Sequence, residues 1–252
     1  SNVGIIGAGY MDEDFVPSVY AHEIFHSWNV KRLRPVDMWP YNYQAMQPTP
    51  WLWVSEGITD YYADLALVRG GVITATEFLG KTDAKMDHVD KTVPIALTDA
   101  SLDSWIHMTD GTQDIYYDKG SLAGLALDIM IRDATDNAAS LDGVMQSLYA
   151  GDYKSGKGFG PDDWWGAVSR AAKGANMKEF SAKYVDGRDP YPWAQWLAKA
   201  GWRIHTDTLH QPRMGVSFQR DTVGLLVVLV DPASMAAAAG IRPGDLVTSI
   251  DG

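Results

Sequence analysis

Two histidines and a glutamate near the start of the chain have the spacing of a hydrolytic metal site. His22, Glu23 and His26 form the motif H-E-x-x-H. Because residues four apart lie on one face of a helix, the two imidazoles would converge on a common point, and neutral imidazoles are good zinc ligands. Glu23 would lie beside the metal without joining it, where it can take a proton from a metal-bound water. The pattern predicts metal-assisted hydrolysis; the alternative is a surface helix that carries these residues by coincidence.

A catalytic zinc site also needs a third protein ligand and one open position for water. Glu56 is the candidate, because it lies at the start of a second predicted helix and would face the first helix across the metal. Asp60 follows one turn later and can accept the free ring N–H of a ligating histidine, for which His22 is the expected partner. The alternative is that both acids only complement the positive end of a helix dipole.

A third segment, Tyr116-Tyr117-Asp118-Lys119-Gly120, offers a hydrogen-bond donor for a transition state. Hydrolysis of a peptide bond passes through an oxyanion, and a phenol O–H aimed at that oxygen stabilises it. A tyrosine at a helix start, next to a glycine that permits close approach, suits this task. The alternative is that both tyrosines pack in the core with satisfied hydroxyl groups.

Helix signals indicate which elements carry these residues. Pro17 suits the first turn of a helix, and the acidic residues 12–14 place negative charge near its start. Thr74 and Glu77 form a capping box at another helix start. Helices are predicted over about 54–69, 74–92, 116–134, 140–149, 161–173, 177–185 and 190–200, whereas residues 93–113 are expected to be irregular.

The character of the sequence changes after about residue 202. Residues 223–230 are apolar and rich in β-branched side chains, which predicts a strand. We therefore expect a boundary near residues 205–212. The expected fold class is a mainly α domain over residues 1–207, followed by a β-rich domain over residues 208–252.

Composition excludes several classes of protein. A net charge of −11 argues against non-specific nucleic-acid binding. The absence of cysteine excludes disulfides and thiolate metal ligands. No run is long and apolar enough to span a bilayer. The chain opens with Ser1-Asn2 and closes on what resembles a strand and turn, so we expect a fragment cut at both ends.

Other residues with functional potential have no decisive pattern. Lys31, Arg32 and Arg34 could meet a substrate carboxylate, although internal ion pairs are the favoured expectation in an acidic protein. The aromatic residues within 39–53 could line a substrate cleft or pack in the core, and both interpretations stay open. The remaining histidines are expected to be surface or packing residues; they are His88, His107, His205 and His210.

Together these segments resemble the glycyl aminopeptidase family of gluzincin metallopeptidases. Residues 22–35 match its H-E-x-x-H-x-W-N-V-K-R-x-[RK]-P string, and residues 53–62 match W-V-x-E-G-x-x-x-Y-Y. The resemblance implies one zinc ion bound by His22, His26 and Glu56, with Glu23 as general base. It also implies that Tyr117 stabilises the oxyanion, with Tyr116 as the fallback.

The same resemblance implies a thermolysin-like helical catalytic domain followed by a PDZ domain. Residues 215–218 resemble a carboxylate-binding loop, and residues 239–252 follow the usual order of bacterial PDZ domains up to a truncation. The family's N-terminal β domain and its G-G-L-E-H-like segment, whose glutamate is thought to hold the substrate amine, have no counterpart in this sequence. By analogy with exported relatives, a periplasmic or secreted location is expected.

Three functions are compatible with these residues and this resemblance. The first is a zinc aminopeptidase that releases small N-terminal residues such as glycine or alanine. The second is a zinc endopeptidase of the same fold, with protein C-termini recruited through the PDZ domain. The third is a non-catalytic scaffold that binds peptides and holds a structural zinc. The expected partners are peptides, with no nucleic acid and no membrane span.

Overall fold

The chain folds as two compact units that divide after Ile204. The computed structural model describes residues 15–106, 112, 114–206, 214–222 and 224–249. The first unit is helical, and the second contains a small antiparallel sheet. The predicted fold class, mainly helical and then β-rich, is confirmed. Within the described ranges, no helix combines the length and apolar character needed to cross a membrane.

The first unit consists mainly of helices, with a long connection between the first two of them. In chain order they are α1 (Val16–Phe25), a π-helical segment (Trp53–Ile58), α2 (Thr59–Arg69), α3 (Ala75–Lys91), α4 (Leu97–Ile106), α5 (Ile115–Thr135), α6 (Leu141–Gly151), α7 (Pro161–Ala171), α8 (Lys178–Phe180), a second π-helical segment (Ser181–Val185) and α9 (Trp193–Lys199). Short 3-10 turns lie at Val36–Met38 and Tyr153–Ser155.

Most of the predicted helix starts agree with the structure. Pro17 lies in the first turn of α1, and Thr74 caps α3 in a reciprocal capping box with Glu77. Ser140 stands at the N-cap of α6 but makes no capping hydrogen bond with its side chain. The acidic residues 12–14, predicted to assist the start of α1, lie outside the described residues.

The prediction that residues 93–113 are irregular was wrong for much of this range. Leu97–Ile106 forms α4, although its serines, threonine and aspartates are only moderate helix formers. Leu97, Ala100 and Ser101 are buried on one face of α4, so tertiary packing outweighs the weak local preference.

The helix predicted over residues 54–69 begins one residue early and in a different form. Residues Trp53–Ile58 are π-helical before α2 continues to Arg69. Gly57 lies against Gly120 of α5, and a Cβ atom at Gly57 would stand 2.6 Å from the Gly120 Cα. This close backbone contact fixes the π segment on the central helix, and π-helical turns occur frequently at functional sites.

The core beside the π segment is aromatic. Trp53 and Trp164 are fully buried with rings 5.6 Å apart, and Trp51 contacts Phe159 edge to face. Trp51 and Trp53 are therefore core residues. The loop aromatics before them differ, because Tyr43 is 88% exposed. The open choice between cleft and core is thus resolved as core for the two tryptophans.

The second unit contains three strands and one short helix. The strands β1 (Val216–Arg220), β2 (Leu225–Val230) and β3 (Leu246–Val247) form an antiparallel sheet in that order, with a register irregularity between Ser217 and Phe218. The helix α10 (Met235–Ala238) is capped by the side chain of Ser234. The predicted strand over 223–230 is present as β2; Val223 lies outside the described residues.

Candidate metal centre

One carboxylate oxygen joins the two histidines of α1. Glu56 Oε2 lies 3.1 Å from His22 Nε2 and 3.2 Å from His26 Nε2. The histidines are one helical turn apart, with ring centroids separated by 4.5 Å, and Glu56 approaches them from the π segment. The three side chains predicted as zinc ligands therefore meet at one point, although they come from segments 30 residues apart in sequence.

The opposite ring nitrogens of both histidines face acceptors. His26 Nδ1 lies 2.8 Å from the backbone carbonyl of Asn29, and His22 Nδ1 lies 3.7 Å from Asp60 Oδ1. An acceptor at Nδ1 holds the proton on that nitrogen and leaves the lone pair on Nε2. The Nε2 atoms of both imidazoles face Glu56, and Asp60 Oδ1 faces Nδ1 of His22 at ion-pair distance.

The electrostatics of this cluster favour positive charge. Burial lowers the pKa of His22, but the carboxylates of Asp60 and Glu56 outweigh it and raise the pKa to about 9. Burial raises the pKa of Glu56, but its contacts with His22 and His26 outweigh it and lower the pKa to about 2. Both shifts have one cause: the clustered carboxylates favour a positive charge beside the Nε2 atoms, and a bound metal ion would take the place of the proton there.

The donor set fits a zinc ion. With ligands at about 2.0–2.1 Å in tetrahedral geometry, neighbouring ligand atoms stand about 3.3–3.4 Å apart. The distances from Glu56 Oε2 to both Nε2 atoms are close to this edge length. Glu23 is a second carboxylate in the vicinity, and its ligand atom lies within 4.8 Å of those of His22 and His26. The contacts of Glu56 Oε2 with both Nε2 atoms fit the predicted third ligand, and Glu23 lies close enough to serve as the predicted general base.

Glu23 has the exposure expected of a group that exchanges protons with water. It lies on α1 directly after His22, and its side chain is exposed, whereas His22 is buried. A carboxylate near the ligand atoms and open to solvent can accept a proton from a reacting water.

The two tyrosines at the start of α5 have different environments. The Tyr117 ring lies 5.9 Å from the His22 ring, whereas Tyr116 is buried with its hydroxyl 3.4 Å from Ser104 Oγ. Burial and the neighbouring charge of Glu56 raise the pKa of Tyr117, so its phenol stays protonated and able to donate. The structure brings Tyr117 to the metal centre and directs Tyr116 into the core.

Sequence reasoning missed a buried asparagine that connects α1 to the π segment. Asn29 Nδ2 donates to the carbonyl of Val54 at 2.7 Å and to Thr59 Oγ1 at 2.9 Å. Because Asn29 also supplies the carbonyl that faces His26, it links one metal ligand directly to the segment that carries another. Asn29 lies within the string that carried the family resemblance, but no local rule assigned it a role.

Sequence reasoning also missed a lysine behind the histidines. Lys85 of α3 has a side chain only 14% exposed, and its ammonium group contacts Asp60 and Asp64. The signal was present in the spacing, because Phe78, Thr82, Lys85 and Val89 follow a helical repeat. A lysine on a core-facing stripe is rarely buried without a partner.

The basic run after α1 differs from the expectation of internal ion pairs. In the part of the chain that the structure describes, Arg32 and Arg34 donate to backbone carbonyls close by in sequence. The Arg34 guanidinium also lies over the Tyr41 ring, 3.7 Å from its centroid. Lys31 is exposed. The two arginines satisfy carbonyls at and just after the end of α1 instead of pairing with carboxylates.

Among the remaining histidines, His88 is a surface residue, as expected. His88 is largely exposed and contacts Asp118 with Nδ1 at 2.6 Å. His107 and His210 lie outside the described residues.

Two family models match parts of the chain. Residues 16–123 match the family model described as M61 glycyl aminopeptidase, and residues 226–252 match a PDZ domain model. The first match contains every predicted site residue: His22, Glu23, His26, Glu56, Asp60 and Tyr117. No curated protein matches the chain.

A solved structure is similar in fold. It is the crystal structure of an aminopeptidase N family protein from Idiomarina loihiensis, with a TM-score of 0.73 and 24% sequence identity. The alignment covers 98% of this chain and 45% of that protein, so the chain spans less than half of its length. The family matches agree with the resemblance found in the sequence: residues 16–123 are similar to the M61 glycyl aminopeptidases, a family of peptidases, and residues 226–252 are similar to PDZ domains.

Proposed function

We propose that the helical unit is a zinc-dependent peptidase that releases small N-terminal residues from peptides. The observation that carries this proposal is the position of Glu56 Oε2, within 3.2 Å of the Nε2 atoms of both motif histidines. The match of residues 16–123 to a glycyl aminopeptidase model supports the reaction class. The individual roles of the site residues are part of the proposal.

His22, His26 and Glu56 would hold the ion. A bound zinc supplies Lewis acidity, which polarises a peptide carbonyl and makes water acidic enough to react near neutral pH. Asp60 holds the proton on Nδ1 of His22, so that Nε2 keeps its lone pair for binding. The carbonyl of Asn29 does the same for His26.

Two further side chains act on the reacting atoms. Glu23 takes a proton from the attacking water and later passes it to the leaving amine. Tyr117 donates a hydrogen bond to the oxyanion, and its raised pKa keeps that proton in place.

The preference for glycine at the N-terminus rests on the description of the matching family, and we extend it to alanine as the next smallest side chain. The PDZ match suggests peptide binding by the second unit, and we propose protein C-termini as its ligands. Recruitment of this kind would add affinity for long substrates without changing the chemistry at the metal centre.

One assay with paired substrates tests the proposal. Glycyl and alanyl p-nitroanilides, each free or N-acetylated, are incubated with the protein before and after zinc chelation, and then after zinc is restored. We expect cleavage of the free-amine substrates alone, lost on chelation and recovered with zinc. Equal cleavage of acetylated substrates would replace the aminopeptidase by an endopeptidase. No zinc-dependent cleavage of either would contradict the peptidase proposal.

A further inference from the structure

Three carboxylates follow one face of the π segment and α2. Glu56, Asp60 and Asp64 are spaced four residues apart, which places them in a row along a helix. Glu56 and Asp60 are half-buried and Asp64 is buried, at 5% exposure. Like charges at this spacing repel one another, so the row requires cations on its exposed side or within the core.

Lys85 is the cation at the inner end of this row. Its ammonium group contacts Asp60 Oδ2, lies 2.8 Å from Asp64 Oδ2 and lies 2.9 Å from Ser121 Oγ. Three oxygen acceptors match the three donors of an ammonium group. Burial lowers the pKa of Lys85, but Asp60 and Asp64 outweigh it and raise the pKa, so the side chain stays charged.

Asp60 lies between this lysine and the metal centre. Its Oδ2 contacts Lys85, and its Oδ1 lies 3.7 Å from Nδ1 of His22, at ion-pair rather than hydrogen-bond distance. Because the two oxygens of one carboxylate are rigidly joined, the contact with Lys85 determines how Oδ1 is presented to His22. Ser18 of α1 donates to Asp64 at 3.1 Å, which fixes the other carboxylate that Lys85 contacts.

The charges in the row match a divalent cation. Lys85 neutralises one of the three carboxylate charges, so a net charge of −2 remains on the row, in which Glu56 and Asp60 both contact His22. A divalent ion bound to neutral imidazoles would balance this charge. Without Lys85, the row would hold an uncompensated charge at the inner end, and Asp60 would be free to turn from His22.

We propose that Lys85 is a positioning residue of the metal centre. It holds Asp60 against Nδ1 of His22 and thereby sets the affinity of the site for its divalent cation. The inference rests on the metal binding included in the proposed function, but it does not depend on peptidase activity. The competing explanation is an ion pair that only joins α3 to α2 and α5.

The test is zinc affinity in the folded protein. Zinc and cobalt dissociation constants are measured by chelator competition, well below the unfolding temperature, for the wild type, for Lys85→Met and for the control Lys91→Met. Lys91 lies on the same helix with an exposed ion pair to Asp87. Removing a group that orients a ligand costs metal affinity about 10–100-fold. We expect about a tenfold loss and a changed cobalt absorption spectrum for Lys85→Met, and wild-type values for Lys91→Met.

A double-mutant cycle separates positioning from packing. If Lys85 acts through Asp60, then Asp60→Asn lowers the affinity, and adding Lys85→Met to Asp60→Asn lowers it little further. An independent loss in the Asp60→Asn background would overturn the proposal. So would a Lys85→Met protein that unfolds more easily but binds zinc with the wild-type affinity.

A second variant covers the case in which Lys85→Met does not fold. Lys85→Gln keeps an amide donor for Asp64 and Ser121 but removes the charge, so we expect the same loss of zinc affinity. Wild-type affinity in this variant would overturn the proposal. If the wild type itself binds no divalent ion, the proposed function fails at its metal centre, which is distinguishable from a wild type that binds zinc with an indifferent Lys85.

Discussion

The two helical segments that meet at the metal centre are held in the protein in different ways. On α1, only Val16 and His22 are buried, whereas every residue of the π segment except Glu56 is buried. Two expected ligands therefore stand on a peripheral helix and the third on a core segment. The difference indicates that Glu56 is fixed by packing, and we expect the histidines to depend on polar contacts and on the proposed ion.

The contacts across this junction support that interpretation. Phe25 of α1 stacks on Tyr62 of α2, with ring centroids 4.6 Å apart. Further links are polar: Ser18 to Asp64, His22 to Glu56 and the hydrogen bond from Asn29 to the carbonyl of Val54. Because hydrogen bonds contribute only about 1 kcal/mol each, α1 should be the part of the site that responds most to metal binding.

Removal of a histidine from α1 should have the largest effect. We expect His22→Ala to lose zinc on dialysis and with it all zinc-dependent hydrolysis, because two ligands cannot replace three. The matched control is His88→Ala, which removes an exposed histidine from α3. Elemental analysis of both variants checks the prediction. A full complement of zinc in His22→Ala would remove His22 from the ligand set.

The Glu23→Gln variant tests whether α1 supplies a general base in addition to metal ligands. Glu23→Gln keeps the shape of the side chain and leaves all three ligands intact, so zinc content should not change. Loss of a general base reduces kcat by about 10²–10⁴-fold. Steady-state kinetics at saturating zinc measure this, and wild-type turnover would exclude Glu23 as the base.

Variants of the two tyrosines at the start of α5 compare a residue beside His22 with a buried residue next to it in sequence. Tyr117→Phe removes the donor beside His22, and loss of an oxyanion donor reduces kcat by about 10²–10³-fold. Tyr116→Phe removes a hydroxyl that contacts Ser104 and the Tyr117 hydroxyl, and we expect a smaller loss of kcat than for Tyr117→Phe. If the two effects are reversed, Tyr116 is the oxyanion donor.

Hydrogen exchange compares the two sides of the junction directly. In the metal-free protein, amides of α1 should exchange faster than those of α2, because α1 buries fewer side chains. Zinc at about 100 times its dissociation constant stabilises the bound state by about 2.7 kcal/mol, which slows exchange by about a hundredfold. Exchange in α1 that does not respond to zinc would contradict the dependence of α1 on the ion.

A glycine pair tests how the core side of the junction is fixed. In Gly57→Ala, the added Cβ would stand 2.6 Å from backbone atoms of Gly120 and Tyr116, which cannot move aside as a flexible side chain could. Overpacking of this kind costs about 1–3 kcal/mol. In the control Gly80→Ala, the new methyl group meets nothing within 4 Å, and α3 should gain about 0.5–1 kcal/mol. Denaturant unfolding of the metal-free proteins measures both; equal stabilities would contradict the close-contact argument.

Local sequence patterns predicted where the helices begin better than they predicted the type of helix. The capping box of α3 and the proline of α1 mark helix starts through contacts within one turn, so the sequence alone locates them. The π geometry of Trp53–Ile58 left no local sign, because it depends on Gly120 of another helix. The helix α4 was missed for the same reason, since its buried face rather than its propensity holds it.

The sequence by itself determined the chemical identity of the site. The spacing of His22 and His26 places two imidazoles on one face of any helix, and Glu56 and Asp60 share a face by the same rule. Only the tertiary structure decided that these two faces meet, with Glu56 Oε2 about equally far from both rings, and that Lys85 lies behind them. The reason is physical: helical periodicity is fixed within one turn, whereas the distance between α1 and the π segment is set by side chains distant in sequence, among them Asn29, Gly57 and Gly120.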